Sequence, residues 1–286
     1  MRSKLSPDLK FFVKTPPWEW PKSAGRIFRE TLKNRRASES DRLLAAELAG
    51  ETVVINDELA EVLLSIVDDS AEPDKLRAKA AIALGPVLEQ TDTDGFDFPE
   101  DVLIAEPTFR KIKESLHQLY ADTSLPKEVR RRILESSVRA PENWHREAIS
   151  KAYSSADRDW KLTAVFSMEW IAGFEDQIFE ALESSDPDIH YHAVCAAGNW
   201  QVDPAWSHIV ALVTSSSTEK RLRLAAIEAL GNIRPAEARP ILVELTNSED
   251  EDIAEAAEEA MIMAEAVPED EEDQEDEEGE TTRWIN

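Results

Sequence analysis

The segment Ile189-His190-Tyr191-His192-Ala193-Val194-Cys195 holds side chains of the types that ligate transition metals or act as nucleophiles. Spacing separates the two histidines: residues two apart on a helix point about 200° from each other, so His190 and His192 cannot serve one ion from one face. His192 and Cys195 do share a face. Cys195, however, lies in the run AVCAAG, whose small apolar neighbours mark helix packing, and a thiol there reads as buried and inert. The acidic stretch around Gly95 looks at first like a calcium loop. With Gly95 at the sixth loop position, Gln90 falls at the first and Asp101 at the twelfth, where glutamate is needed, so the stretch reads as a solvated acidic loop. The chain has no G-x-S-x-G, no H-E-x-x-H, no glycine-rich phosphate loop and no His-Glu dipeptide. The expectation is a protein that is not an enzyme and uses no cofactor or metal.

Regularly spaced charge is the stronger signal. Arg42, Arg77, Arg130, Lys161, His190 and Arg223 each follow the first residue of a recurring apolar pattern, and Lys79, Arg132 and His192 stand two residues beyond three of them. Acids precede the same patterns at Glu128, Asp159, Asp188 and Asp252, with Asp74 and Glu219 nearby. Two chemistries fit. In one, the acids cap helix N-termini and pair with cations of neighbouring repeats. In the other, the cations line a locally basic strip that receives an acidic peptide. Phe96 and Phe98, set among acids, and Trp284, in the closing TTRWIN, are the docking candidates outside the pattern. Trp160 and Trp200 take pattern positions that are aliphatic in other copies and are expected in the core.

The elements that carry these residues are helices in series. LRLAAIEALGNI, from Leu222, puts Leu222, Ala226, Leu230 and Ile233 on one stripe, then stops at Gly231-Asn232 ahead of Pro235. Related stretches start at Asp41, Leu76, Val129, Trp160, Ile189 and Ile253, at intervals of 35, 53, 31, 29, 33 and 31 residues. A second amphipathic stretch, such as ELAEVLLSIVDD or ARPILVELTNS, lies between successive copies. Two helices of about a dozen residues plus two turns fill the period, and neither helix can bury its stripe without neighbours.

WSHIVALVTSSSTEKRLRLAAIEALGNI and ARPILVELTNSEDEDIAEAAEEA resemble the short HEAT-like repeats of the phycobilisome-lyase type. The resemblance implies an all-α, right-handed α-solenoid, a HEAT-like superhelix of about six to seven helix pairs, with the second helix of each pair on the concave side. It implies protein binding more readily than lyase activity, because this repeat serves many unrelated proteins. The expected function is a non-catalytic protein-binding scaffold or adaptor using its concave helices and tails, the alternative being a bilin lyase or a lyase-like chaperone subunit.

Domain organisation follows from the interruptions: a basic aromatic extension and cap over 1–40, a solenoid over 41–266 with an insertion at 91–106, and an acidic, disordered tail over 267–286. Net charge is −27, yet residues 1–42 carry 11 basic against 5 acidic side chains, and residues 268–286 carry 10 acids and a single arginine. So anionic a body disfavours nucleic acid. The tail is an expected ligand for the chain's own cation strip. The single cysteine precludes an internal disulfide, and no apolar run reaches the length of a secretory or membrane-spanning segment, so a cytoplasmic location is expected and membrane association is not.

Overall fold

The structure, a computed structural model, describes residues 7–98 and 102–266. Among them are sixteen α-helices, two 3-10 turns and no strand. Two short helices, α1 (Pro7–Lys14) and α2 (Ala24–Lys33), precede α3 (Glu39–Leu48), α4 (Asp57–Asp68), α5 (Asp74–Ala83) and α6 (Gly85–Asp94). There follow α7 (Glu106–Ala121), α8 (Lys127–Ser137), α9 (Asn143–Tyr153), α10 (Arg158–Ser167), α11 (Glu175–Ala181) and α12 (Pro187–Asn199). The last four are α13 (Trp206–Thr214), α14 (Lys220–Ile233), α15 (Pro235–Leu245) and α16 (Glu251–Ala266). In chain order they form seven pairs, from α2/α3 to α15/α16, with α1 and α6 as additions, and the chain divides into two compact units at Ala196 and Ala197. The α-solenoid class read from the periodicity is the class observed.

In the first unit the second helices stack on one another, α3 on α5, α5 on α8 and α8 on α10, while the first helices stack separately, α2 on α4 and α4 on α7. Leu59, Leu63 and Val67 of α4, Leu76, Ala80 and Ala81 of α5, and Ile112 and Leu116 of α7 are fully or almost fully removed from water. Each such leucine or isoleucine contributes about 1.5–3 kcal/mol of burial, so the stack is held along its whole length and not at one centre. In the second unit α13/α14 and α15/α16 repeat the plan, with α14 packed on α16.

Helix boundaries follow local chemistry. Ser38 caps α3 by accepting from the Asp41 amide, Asn56 caps α4 through Leu59, and Glu219 caps α14 through Leu222. Leu76 to Val87, which the repeat pattern reads as one helix, breaks at Leu84 because Gly85 and Pro86 open α6. The expected insertion at 91–106 is therefore partly helical: its first four residues are the last turn of α6, which ends at Gly95 with φ 67°. Since α6 begins at Gly85 and packs its Val87 and Leu88 inward, the extra element that lengthens the period starts earlier than the acidic run suggests. At the front, α2 buries Phe28 and Leu32 and packs on both α3 and α4, so it serves as first helix of the first pair, and the boundary expected at 40 falls inside that pair. The tail 267–286 and Trp284 lie outside the described residues.

Candidate interaction surface

The fourth residue of four second helices does the same thing. Arg42 Nε donates to the Leu32 carbonyl at 3.1 Å, Arg77 to Val67 at 2.9 Å, Arg130 to Tyr120 at 3.0 Å and Arg223 to Val213 at 2.9 Å. Each acceptor is the next-to-last residue of the preceding first helix. Helix C-termini end in carbonyls without intrahelical partners and carry partial negative charge, so a guanidinium aimed at that turn satisfies both. Most of the cation series thus ties the two helices of a pair together. Arg42 and Arg77 are 7% and 4% exposed, which corrects their expected place on a partner-binding strip: their heads are committed to the pair interior. Arg42 also grips Glu72 through both terminal nitrogens, and that hydrogen bond, against the opposing effect of burial, holds the Glu72 carboxyl below the usual carboxylate range.

The remaining members differ. Lys161 lies over the Tyr153 ring, 4.7 Å from its centre, and reaches Glu180 at 3.7 Å. Lys79 pairs with Glu47 on the previous second helix at 3.1 Å and remains partly open to solvent. Arg132 pairs with Glu128 and Glu135; burial works against its charge, but the two carboxylates more than offset this and raise its pKa. His192 Nδ1 meets Glu169 at 2.5 Å, with the Phe166 ring edge-on to the imidazole, and His190 is half-buried on the same helix. No group of three or more His, Cys, Asp or Glu side chains is placed to hold a metal ion among the described residues.

The acids work as the capping reading expects, though partly through other residues. Asp157 caps α10 through the amides of Asp159 and Trp160, and Asp186 accepts from the amides of Asp188 and Ile189. The preceding repeat then supplies a cation from the first position of its second helix. Lys127 bonds Asp157 and Asp159, Arg158 bonds Asp186 and Asp188, and Lys220 pairs with Asp250 and Asp252. The sequence signal is an Asp-x-Asp at the starts of α10, α12 and α16, with a cation about 30 residues earlier.

Two features escaped the sequence reading. One is a buried polar junction between α8 and α10: Arg131 Nε donates to Thr163 Oγ1 at 2.8 Å, and that hydroxyl donates to Glu135 Oε1 at 2.6 Å. The signal was Arg131 itself, a charge where the previous copy has Ala78. The other is a run of rings on three helices, α7, α9 and α10, of two successive pairs. His117 lies flat on Trp144 at 4.7 Å, Trp144 meets Tyr120 at 5.1 Å, and Tyr120 meets Trp160 at 6.4 Å. Arg130 sits 5.1 Å from the Tyr120 ring centre and 5.5 Å from that of Trp160. Trp160, expected in the core, is half-buried in this run, as are Tyr120 and Trp144, while His117 is exposed. Of the loop phenylalanines, Phe96 folds back against Phe109 at 5.6 Å, whereas Phe98 stays 66% exposed.

A family model described as HEAT repeats matches residues 175–262. None of the curated proteins matches the chain. Among solved structures, the E. coli protein YibA is similar at 13% identity, covering 91% of this chain and 88% of its own, with a TM-score of 0.48. Human deoxyhypusine hydroxylase in complex with glycerol is similar at 16% identity, over 90% and 96% of the two chains, with a TM-score of 0.38. A designed armadillo repeat protein in complex with the peptide (KR)4 is similar at 14% identity, over 82% and 98%, with a TM-score of 0.38. The phycobilisome-lyase subtype finds no support in these comparisons. The chain is an α-solenoid of helix pairs in series, and its residues 175–262 match the HEAT repeat model.

Proposed function

We propose that the chain is a non-catalytic scaffold that binds a protein partner in the cytoplasm. The observation that carries this is the ring run from exposed His117 through half-buried Trp144 and Tyr120 to Trp160, where the α7/α8 and α9/α10 pairs meet. Tryptophan, tyrosine and arginine are the side chains that anchor protein interfaces, because they offer large rigid area with one polar end. Here they are already oriented by stacking, so a partner binds without having to order them. Of the expected strip, Lys79, Arg132 and Lys161 stay partly accessible, and an acidic rim on the partner would compete for them with Glu47, Glu128 and Glu180. Arg130, Arg223, His190 and His192 belong to this proposal only through their half-exposed edges. Among the described residues, no helix is long and apolar enough to cross a membrane. The bilin-lyase alternative draws no support from the comparisons and is not carried further.

The test is affinity capture of partners by the full chain beside a His117→Ala/Trp144→Ala variant whose helical content and melting are checked first. A partner retained by the full chain and lost by the folded variant supports the reading. Equal retention by both, or turnover of a small-molecule substrate by the purified chain, overturns it.

A further inference from the structure

The front edge of the described chain is chemically unlike the rest. α1 turns Leu9 and Phe12 inward, where Phe12 packs edge-on to Trp20 and Phe28 at 5.4 and 4.8 Å. Its outer side carries Lys10 and Lys14, neighbours at i and i+4, and exposed Phe11 beside them in sequence. Phe11 is 49% exposed, and Trp18, in the 3-10 turn that follows, is 78% exposed. Elsewhere the cations are largely engaged, by carbonyls at Arg42, Arg77, Arg130 and Arg223 and by aspartates at Lys127, Arg158 and Lys220. Lys10, Lys14 and Lys22 have no acidic partner among the described residues. Two exposed rings, Phe11 and Trp18, and three uncommitted ammonium groups within residues 10–22 suit something acidic with an apolar anchor.

We propose that this edge receives residues 268–286 of a second copy of the chain. That segment holds 10 of the chain's acids against Arg283 alone, and it carries Trp284 and Ile285. The carboxylates suit Lys10, Lys14 and Lys22, and the terminal indole suits the face offered by Phe11 and Trp18. The rest of the chain, net negative from Leu43 onward, repels the same segment, which leaves the front edge as its electrostatic minimum. The contact is heterologous: front edge of one copy, last segment of the next, so association is open and depends on concentration. It is independent of the ring run assigned to other partners.

Two measurements test it. A fluorescein-labelled peptide of residues 268–286 is titrated with the full chain and with Lys10→Glu/Lys14→Glu/Lys22→Glu, all exposed positions that carry none of the core. In parallel, the full chain and this variant are sedimented over a range of concentrations. The expected result is saturable peptide binding, weakened about tenfold in the variant. Binding should weaken similarly from about 0.1 M to about 1 M salt, where the screening length falls from ~10 to ~3 Å. Trp18→Ala, which removes an exposed ring only, should also weaken it. The full chain should sediment faster as concentration rises, and the variant should not. Peptide binding that ignores the lysine reversals overturns the proposal. So does a sedimentation coefficient that stays constant for the full chain, or binding to phosphatidylserine vesicles that the peptide fails to displace.

Discussion

Arg77 Nε, buried on α5, donates to the carbonyl oxygen of Val67 at 2.9 Å, ten residues back, in the last turn of α4. The same step of ten residues joins Arg42 to Leu32, Arg130 to Tyr120 and Arg223 to Val213. A guanidinium bonded to a buried carbonyl contributes about 1.5–3 kcal/mol, and its loss leaves that carbonyl without a partner. Arg77→Met should therefore cost about 2–3 kcal/mol in urea unfolding. Arg77→Lys should recover only part, because an ammonium on a flexible stem lacks the fixed Nε–H that meets the carbonyl. Arg223→Met, at a half-buried site, should cost less. Equal melting of all three variants with the parent would show that the step is only geometric coincidence.

The spacing of α12 from α14 and of α14 from α16 is set by a glycine. A Cβ placed on Gly198 would lie 2.7 Å from Ala229 Cα, and one on Gly231 would lie 3.1 Å from the Ala260 carbonyl oxygen. Both glycines are the tenth residue of their pattern, and the tenth residue of the last copy is Ile262, 67% exposed. Where no described helix packs on that position, no glycine is required. Gly198→Ala should destabilise by about 1–3 kcal/mol from overpacking, partly offset by the ~1 kcal/mol that alanine gains in a helix. Gly231→Ala should cost less, and Ile262→Ala almost nothing. Thermal melts of the three should rank in that order.

The repeat was legible because burial imposes a period: an apolar stripe every 3.6 residues and a helix-pair unit every 30 or so survive any variation on the surface. The cation at the fourth helix position was legible as a pattern, but not its target. Sequence spacing places Arg77 on a helix face without telling whether the long side chain runs outward to solvent or back along the pair to Val67. The capping acids were read two residues late for a related reason: Asp157 and Asp159 are both acidic, and only backbone conformation decides which one accepts the amides. The ring run was invisible because Tyr120 belongs to one helix pair and Trp144 and Trp160 to the two helices of the next, and all three meet only when those pairs stack.

His145 is fully buried at the start of α9, where its Nδ1 accepts from the Glu142 amide at 2.9 Å and its Nε2 faces Ser137 Oγ at 3.1 Å. Both contacts suit a neutral ring. Burial first, and then the charges of Lys113 and His117, pull its pKa down to about 3 from an ordinary 6.5. Between those two values the unfolded chain takes up a proton that the folded chain refuses. Its contribution to stability is therefore intact above pH 6.5 and is lost as pH falls toward 3, at about 1.4 kcal/mol per unit for one proton. Unfolding free energy measured from pH 7 to pH 5, above most carboxylate titration, should decline in the parent. It should decline less steeply in His145→Asn, even though that variant is less stable at pH 7.

The junction of α8 and α10 should be the most sensitive polar site in the chain. Thr163 is fully buried, and its one hydroxyl accepts from Arg131 and donates to Glu135, themselves 4% and 3% exposed. Thr163→Val keeps the shape but removes a donor and an acceptor at once, leaving both charged neighbours short of a partner at a cost of about 1–3 kcal/mol or more. Glu135→Gln alone should also destabilise, since Arg131 and Arg132 both lean on that carboxylate. If the three groups act as one network, Thr163→Val combined with Glu135→Leu should cost less than the sum of the single changes, because the second removes a group the first has already stranded. A double-mutant cycle by chemical denaturation reads this directly. Strict additivity would mean that the hydroxyl bridges nothing, and that Arg131 is held by Glu128 and Asp159 alone.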